Sequence, residues 1–218
     1  MGTLLLALRG AAAVAVLTAV VGGLPRIVQL GLAIVVGLWS ALLAGTVAGS
    51  AAPIAAPVLV AAHELVVGAT LGLLAAIPLL AAGAAGRLVD VTMSARQGPY
   101  ASLFAILAGA VFVGIDGHVT LVTSIVDSFH TAPAIATVQP RVLASLGGLV
   151  PQAVALAIPW LVTAAVVELA IGAGVRVAGR AGPHVPIAAA VPAALVMITA
   201  ALVATLAVAI AALIRGAL

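Results

Sequence analysis

Residues 58–82 read VLVAAHELVVGATLGLLAAIPLLAA, and this stretch decides the fold class. Its only charged side chain is Glu64. A bilayer core about 30 Å thick is crossed by about 20 residues of apolar helix. The run is continuous, whereas the strands of a membrane β-barrel alternate between apolar and polar residues. We therefore predict a membrane-spanning helix here.

The composition of the whole chain extends this prediction. Of its 218 residues, 66% are apolar and 6% are charged, against about 25% charged in an ordinary soluble domain. Mean hydropathy is +1.43, and no soluble fold of this size could keep so much apolar surface from water. We therefore exclude extramembrane domains, nucleic-acid binding and disordered tails. The prediction is an all-α integral membrane protein, a single polytopic domain over residues 1–218 with five to seven apolar helices.

The apolar segments are separated by short polar or Gly/Pro-containing stretches. The first segment lacks both a charged region before it and a cleavage site, so we expect a retained span rather than a signal peptide. A turn is predicted at 49–57, and polar loops are predicted at 83–100 and 176–184. The predicted apolar segments are 3–23, 27–48, 58–82, 101–115, 148–175 and 185–214.

Residues 119–130 differ from the rest because they are amphipathic. One helical face carries the apolar residues Val119, Val122, Ile125, Val126 and Phe129. The other face carries Thr120, Thr123, Ser124, Asp127 and His130. Such a helix suits an interface, a protein groove or a water-filled lumen.

The arginines constrain the topology. Counting positive charges places the loops at Arg26, at Arg87 and Arg96, and at Arg176 and Arg180 in the cytoplasm. Residues 101–130 must then cross the membrane an odd number of times, so they cannot form two ordinary spans. We expect a re-entrant segment or an irregular topology, which needs protein or water around it.

Two carboxylates lie inside apolar segments, Glu64 and Glu168. An ionised group at membrane depth costs about 2.5–3.5 kcal/mol on insertion scales, so each needs a partner, a neutral state or water. One interpretation is a hydrogen bond or ion pair with an Arg. The other is a proton-coupled secondary transporter, in which Pro78, Pro159 and Pro192 would break helices.

Catalytic and metal-binding patterns are not found. The four histidines lack the i, i+4 spacing of a helical zinc site, and His63 and Glu64 are adjacent, so their side chains are expected to point apart. The sequence has no cysteine, no Gly-x-Ser-x-Gly motif and no phosphate-binding glycine loop. We therefore expect neither an enzyme nor a bound metal or cofactor.

Glycines recur at a spacing of four residues. Gly68 and Gly72 share one face of their helix, as do Gly45 and Gly49. Small residues at this spacing allow two helices to approach closely, although a chain so rich in Ala and Gly contains such pairs by chance.

Several short strings, in order, resemble the FliR/SctT family of flagellar and type III secretion export machines. The resemblance covers about residues 26–196. The strings are RIVQLGLAI at 26–34, ELVVGATLG at 64–72, AG at 85–86 with Met93, DGH at 116–118, DSFH at 127–130 with Pro133, AIP at 157–159, ELAIG at 168–172, Arg176, PH at 183–184 and Pro192. The motif residues that the resemblance marks as structural are Glu64, Gly68, Gly72, Asp116, Gly117, His118, Asp127, Phe129, Pro133, Pro159, Glu168, Gly172, Arg176 and Pro183.

The resemblance implies a noncatalytic subunit of a protein-export gate in the bacterial inner membrane. The implied partners are FliP/SctR-like and FliQ/SctS-like subunits, FlhB/SctU-like and FlhA/SctV-like components, unfolded secreted proteins and membrane lipids, but no nucleic acid. Hairpins bent within such an assembly would explain the topology conflict. Partners on other chains would then satisfy Glu64, Glu168 and several Arg residues.

The candidate gate is the shortened polar loop, which lacks the D-P element usual in the family. Its residues are Met93, Ser94, Ala95, Arg96, Gln97 and Gly98. Gly98 would let the loop change shape, and Met93 would give an adaptable apolar seal. The alternative is a cytoplasmic loop whose Arg only anchors the topology. Glu168 and His184 also depart from the family, which usually has Asp and Gln there.

Overall fold

The computed structural model describes residues 2–22, 24–44, 57–92, 98–131, 135–181 and 190–217. Regular secondary structure in these residues is entirely α-helical, which confirms the predicted all-α class. The helices are α1 (Gly2–Val21), α2 (Arg26–Leu43), α3 (Pro57–Thr92), α4 (Tyr100–Gly114), α5 (Gly117–Thr131), α6 (Ile135–Ala181) and α7 (Ala190–Ala217).

Helix α3 lies at the centre of the bundle. It contacts α1, α4 and α6 extensively, and α5 and α7 more lightly, while α2 packs on the outer side of α1. Small side chains bring these helices together, since Ala82, Ala85, Ala108 and Ala157 are fully buried. Around them, the rings of Tyr100 and Phe104 meet Trp160 edge-on, with centroids 5.5 and 5.3 Å away.

Two helices run further than the sequence predicts. The predicted loop at 83–100 is wrong over its first ten residues, because α3 continues to Thr92. The segment predicted at 148–175 is α6, which begins at Ile135 and ends at Ala181. The proline and charged residues that suggested loops lie within these continuous helices.

The length of α6 exceeds what a simple span requires. Its 47 residues extend about 70 Å at 1.5 Å per residue, more than twice the bilayer core of about 30 Å. The 36 residues of α3 extend about 54 Å. These lengths agree with the predicted irregular topology.

Among the described residues, four helices are long and apolar enough to cross a membrane, within α2, α3, α6 and α7. Helices α4 and α5 together form a fifth candidate, bent by 64° at the break between them. The charge pattern predicted that residues 101–130 do not form two ordinary spans, and the structure shows one bent pair of helices there. Helix α1, predicted as the first span, contributes a shorter apolar stretch, Leu6–Val21.

The helix breaks that the transporter alternative would need at three prolines are not seen. Pro78 is buried inside α3, Pro159 lies within the continuous α6, and Pro192 lies in the first turn of α7. A first-turn proline costs little because its missing N–H would have no helical partner. The discontinuous helices expected of a secondary transporter are therefore not seen at these positions.

Candidate functional site

The buried guanidinium of Arg9 in α1 forms a two-point ion pair with Glu64 in α3. Arg9 Nε donates to Glu64 Oε2 at 2.6 Å, and Nη2 donates to Oε1 at 2.9 Å. Only 4% of Arg9 and 7% of Glu64 are exposed. The planar fork of Arg matches the carboxylate geometry, so the two charges neutralise each other away from water.

The remaining donor of Arg9 fixes α5. Its Nη1 donates to the carbonyl oxygen of Ser128 at 2.7 Å and to the Ser128 hydroxyl at 2.9 Å. The ring of Phe129 lies under the guanidinium, 4.5 Å from its carbon to the ring centroid, which adds a cation–π contact. One arginine thus joins α1, α3 and α5, and we call Arg9, Glu64, Ser128 and Phe129 the Arg9 cluster.

The glycines that follow Glu64 let the backbones of α1 and α3 touch. A Cβ atom at Gly68 would overlap the carbonyl oxygen of Arg9, and one at Gly72 would overlap that of Ala13. The spacing of four residues on α3 therefore matches the spacing of four on α1. Gly68 and Gly72 are therefore not a chance pair: the close contact between α1 and α3 requires that neither position carries a side chain. Gly45 and Gly49 lie outside the described residues.

The other side of α1 is equally close to α2. A Cβ atom at Gly37 would lie 2.6 Å from the carbonyl oxygen of Ala7, and one at Gly10 would overlap the Ser40 hydroxyl oxygen. Ser40 itself is buried and donates to the carbonyl of Gly37 at 3.0 Å. Helix α1 is therefore held between α2 and α3, with the Arg9 cluster between α1, α3 and α5.

Asp116, Gly117 and His118 form the corner between α4 and α5. Asp116 has φ +57°, a left-handed conformation that Asp tolerates better than most residues. Its carbonyl accepts hydrogen bonds from the N–H groups of Val119 and Thr120 at 2.9 and 3.0 Å. A Cβ atom at Gly117 would lie 2.6 Å from the ring of Phe112. The motif therefore sets the bend between the two helices.

The buried face of α5 differs from the predicted one. Leu121, Ile125 and Ser128 are buried, whereas Val119, which lies on the predicted apolar face, is exposed. The reason is that Arg9 needs the polar groups of Ser128, which turns that side of α5 towards α1. Phe129 remains partly buried against the guanidinium.

The predicted polar face of α5 is open to the surroundings. Thr120, Thr123, Asp127 and His130 are exposed. His118 is exposed too, and lies at the edge of an apolar groove of about 750 Å³ between α1, α2, α4 and α5. A row of exposed polar side chains therefore runs along one side of an otherwise apolar molecule.

Asp90 has a role that the sequence did not reveal. Its buried carboxylate accepts hydrogen bonds from the N–H groups of Tyr100 at 3.1 Å and Ala101 at 2.9 Å, two donors that the first turn of a helix leaves unpaired. A Cβ atom at Gly86, one turn earlier, would lie 2.7 Å from Ala101 Cα. One indication of this role was present in the sequence. Gly86 and Asp90 are four residues apart, the spacing of one helical face, in a segment that contains no proline.

The other motif residues lie apart from the Arg9 cluster. Pro159, Glu168, Gly172 and Arg176 are all exposed on α6. Pro133 and Pro183 lie outside the described residues. So do five residues of the candidate gate, Met93 to Gln97, while Gly98 lies two residues before α4.

His63 and Glu64 do not point apart as predicted. His63 Nδ1 lies 3.7 Å from Glu64 Oε1. No group of three or more His, Cys, Asp or Glu that could hold a metal is found among the described residues.

Comparison with known proteins gives one family. The sequence profile of the family described as bacterial export proteins, family 1, matches residues 1–217. This match is wider than residues 26–196, whose motifs carried the resemblance. A search of curated proteins found no significant match.

Proposed function

Because the chain belongs to family 1 of the bacterial export proteins, we propose that it is a noncatalytic core subunit of a type III protein export apparatus. Its role in protein export and its integral membrane character follow from the family and from the apolar helices. The proposal adds the type of machine, flagellar or injectisome, and the bacterial inner membrane as its location. It also adds that the single polytopic domain forms part of the export channel.

The proposed assembly contains several other proteins. FliP/SctR-like and FliQ/SctS-like subunits would surround this chain, with FlhB/SctU-like and FlhA/SctV-like components beside them and unfolded proteins as the substrate. Support comes from the outer surfaces of α2, α6 and α7. Each exposes large apolar side chains that its own chain does not cover, for example Ile27, Leu169 and Val208.

The observation that carries the channel role is the polar outer face of α5. Thr120, Thr123, Asp127 and His130 are exposed together on a helix whose opposite side is fixed to Arg9. Four polar side chains facing lipid would be unfavourable, whereas the wall of a wet channel would hydrate them. We therefore assign this face to the channel wall or to a hydrated seam between subunits.

The gate is proposed to include Met93, Ser94, Ala95, Arg96, Gln97 and Gly98. The support available is that the helices before and after this stretch are joined by Asp90, through the N–H groups of Tyr100 and Ala101. The two helices that flank the proposed gate are thus held together close to where it begins and ends. Replacing it with a Gly/Ser sequence of equal length should raise ion leakage in cells while leaving assembly intact. Unchanged leakage would argue for a loop that only anchors the topology.

The test of the proposal is assembly. The chain is co-expressed with FliP/SctR-like and FliQ/SctS-like subunits of the same bacterium, purified in detergent and weighed by native mass spectrometry. We expect a discrete hetero-oligomer containing one copy of this chain. A stable monomer or dimer that ignores both partners would contradict the proposal.

The alternative is a small proton-coupled transporter that uses Glu64 and Glu168. Two observations argue against it. The ion pair with Arg9 occupies Glu64, and the expected helix breaks are not present at the three prolines. Reconstitution of the chain alone into proteoliposomes separates the two functions. Proton-driven solute flux that disappears in Glu168→Gln would favour the transporter.

A further inference from the structure

The apolar groove between α1, α2, α4 and α5 follows the whole length of α4. Its volume is about 750 Å³. The α4 residues that line it recur with the period of one helical face and are Ser102, Ala105, Ile106, Gly109, Phe112 and Val113. At 1.5 Å per residue, the groove extends about 16 Å along the helix. We call it the α4 groove.

The lining of the α4 groove offers little to a polar ligand. Leucine and valine side chains of α1, α2 and α5 form most of its other walls, for example Leu17, Leu32 and Leu121. The hydroxyl of Thr18 also lines it, but this group donates to the carbonyl oxygen of Val14 at 2.7 Å. The groove therefore suits a hydrocarbon chain.

One end of the α4 groove adjoins a second cavity, of about 410 Å³, which contains a cation. Arg87 lines this second cavity. The two cavities share four lining residues, Val21, Leu79, Ser102 and Ala105. The joined surface is thus apolar along α4 and positively charged beyond its Ser102 end.

The guanidinium of Arg87 has no anion in the described part of the chain. Its side chain is exposed, and neither of the described ion pairs includes it. Asp90 lies three residues further along α3, but its buried carboxylate accepts hydrogen bonds from the N–H groups of Tyr100 and Ala101. Arg87 is therefore available to an anionic group of a ligand.

The dimensions of the α4 groove fit an acyl chain and not a helix. A helix with its side chains is about 10–12 Å wide, so a 16 Å length would occupy about 1,300–1,800 Å³. This is about twice the volume of the groove. An acyl chain covers half of a bilayer core about 30 Å thick, which is about 15 Å. One acyl chain therefore matches the length of the groove.

We propose that the α4 groove and the adjoining cavity bind one phospholipid, with one of its two acyl chains along α4 and its phosphate paired with Arg87. The planar fork of an arginine suits a phosphate group. A free phosphate would leave the groove empty, and a neutral lipid would leave Arg87 without an anion. The site goes beyond the proposed export function and does not depend on the type of machine.

The first experiment measures lipid binding to the full chain, purified in a mild detergent, by native mass spectrometry. The chain is titrated with dipalmitoyl phosphatidylglycerol, with dipalmitoylglycerol, which lacks the phosphate, and with inorganic phosphate. We expect a one-to-one complex with the phospholipid. Dipalmitoylglycerol should bind about fivefold more weakly because it loses the pairing with one arginine. Inorganic phosphate should give no complex.

Variants of α4 test the position of the acyl chain. A Cβ atom at Gly109 would meet nothing within 4 Å, so the ring in Gly109→Phe would enter the groove. It should lower the affinity for the phospholipid about tenfold or more. Gly114→Phe is the control, because Gly114 also has open space on the same helix but lines neither cavity. It should leave the affinity within about twofold.

Variants of two arginines test the position of the phosphate. Arg87→Gln should lower the affinity for the phospholipid about fivefold and leave the affinity for dipalmitoylglycerol unchanged. Arg176→Gln is the control, since Arg176 is exposed on α6 and lines neither cavity. It should leave both affinities within about twofold.

A crosslinking measurement locates the lipid without any change to the chain. The probe is a phosphatidylglycerol with a photoreactive group in one acyl chain, and the linked peptides are identified by mass spectrometry. We expect links to α4 and α1. Links spread over the exposed apolar faces of α2, α6 and α7 would overturn the proposal. So would equal affinity for the phospholipid and dipalmitoylglycerol, or unchanged affinity in a folded Gly109→Phe variant.

Discussion

Arg9 and Glu64, 55 residues apart in the chain, form a buried two-point ion pair between α1 and α3. The pair explains how a bundle with so few charges tolerates two of them near its centre. It also places α5, because the third nitrogen of Arg9 binds Ser128.

Breaking this pair should be strongly destabilising. Arg9→Met leaves the Glu64 carboxylate buried without a partner, and such a change typically costs about 3–5 kcal/mol. The double variant Arg9→Met, Glu64→Leu should recover most of the loss, because it removes both charges. Unfolding in mixed micelles of increasing denaturing-detergent content measures the difference. Equal stability of the single variant and the unmodified protein would show that Arg9 does not hold the bundle.

Any side chain at position 68 should lower the stability of the protein, because it would separate α1 from α3. Gly68→Leu would force the backbones apart and should cost at least about 1–3 kcal/mol. Gly83, on the same helix, is the control because a Cβ atom there meets nothing within 4 Å. Gly83→Ala should be neutral or raise stability by about 0.5–1 kcal/mol. Thermal unfolding in detergent compares the two, and similar effects would contradict the tight contact.

Asp90 should slow hydrogen exchange at the first residues of α4. Asp90→Ala removes an ionised acceptor from two N–H groups, and hydrogen bonds to charged groups contribute about 1.5–3 kcal/mol each. Hydrogen exchange followed by mass spectrometry should show faster exchange at Tyr100 and Ala101. Ser102→Ala is the control, since its exposed hydroxyl donates to the carbonyl of Pro99 and not to the Asp90 cap. Unchanged exchange in Asp90→Ala would show that the cap is dispensable.

The corner at Asp116 should accept glycine and resist branched residues. With φ at +57°, Asp116→Val should cost about 1–2 kcal/mol, whereas Asp116→Gly should keep the stability within about 1 kcal/mol of the unmodified protein. The comparison is made by thermal unfolding in detergent. Equal tolerance of Val and Gly would indicate that the bend between α4 and α5 does not depend on this conformation.

Some features of the site could be predicted from residue patterns. The spacing of Glu64, Gly68 and Gly72 marked one face of α3, and DGH marked a corner. Arg9 was visible inside the first apolar segment, but no local pattern linked it to residues 55 and 119 positions away. Proline and charge suggested that α3 and α6 were shorter than they are, because their cost in a helix depends on which neighbours satisfy them.

The sequence alone determined the class of this protein, an all-α membrane protein of an export family. Hydropathy and the order of motifs are properties of the sequence itself, and they do not depend on how the helices pack. Only the tertiary structure decided that Arg9 neutralises Glu64, that Ser128 turns α5 towards α1, and that Glu168 is left outside the bundle. Each of these depends on distances between helices far apart in the chain, because an ion pair forms or fails over a few ångströms.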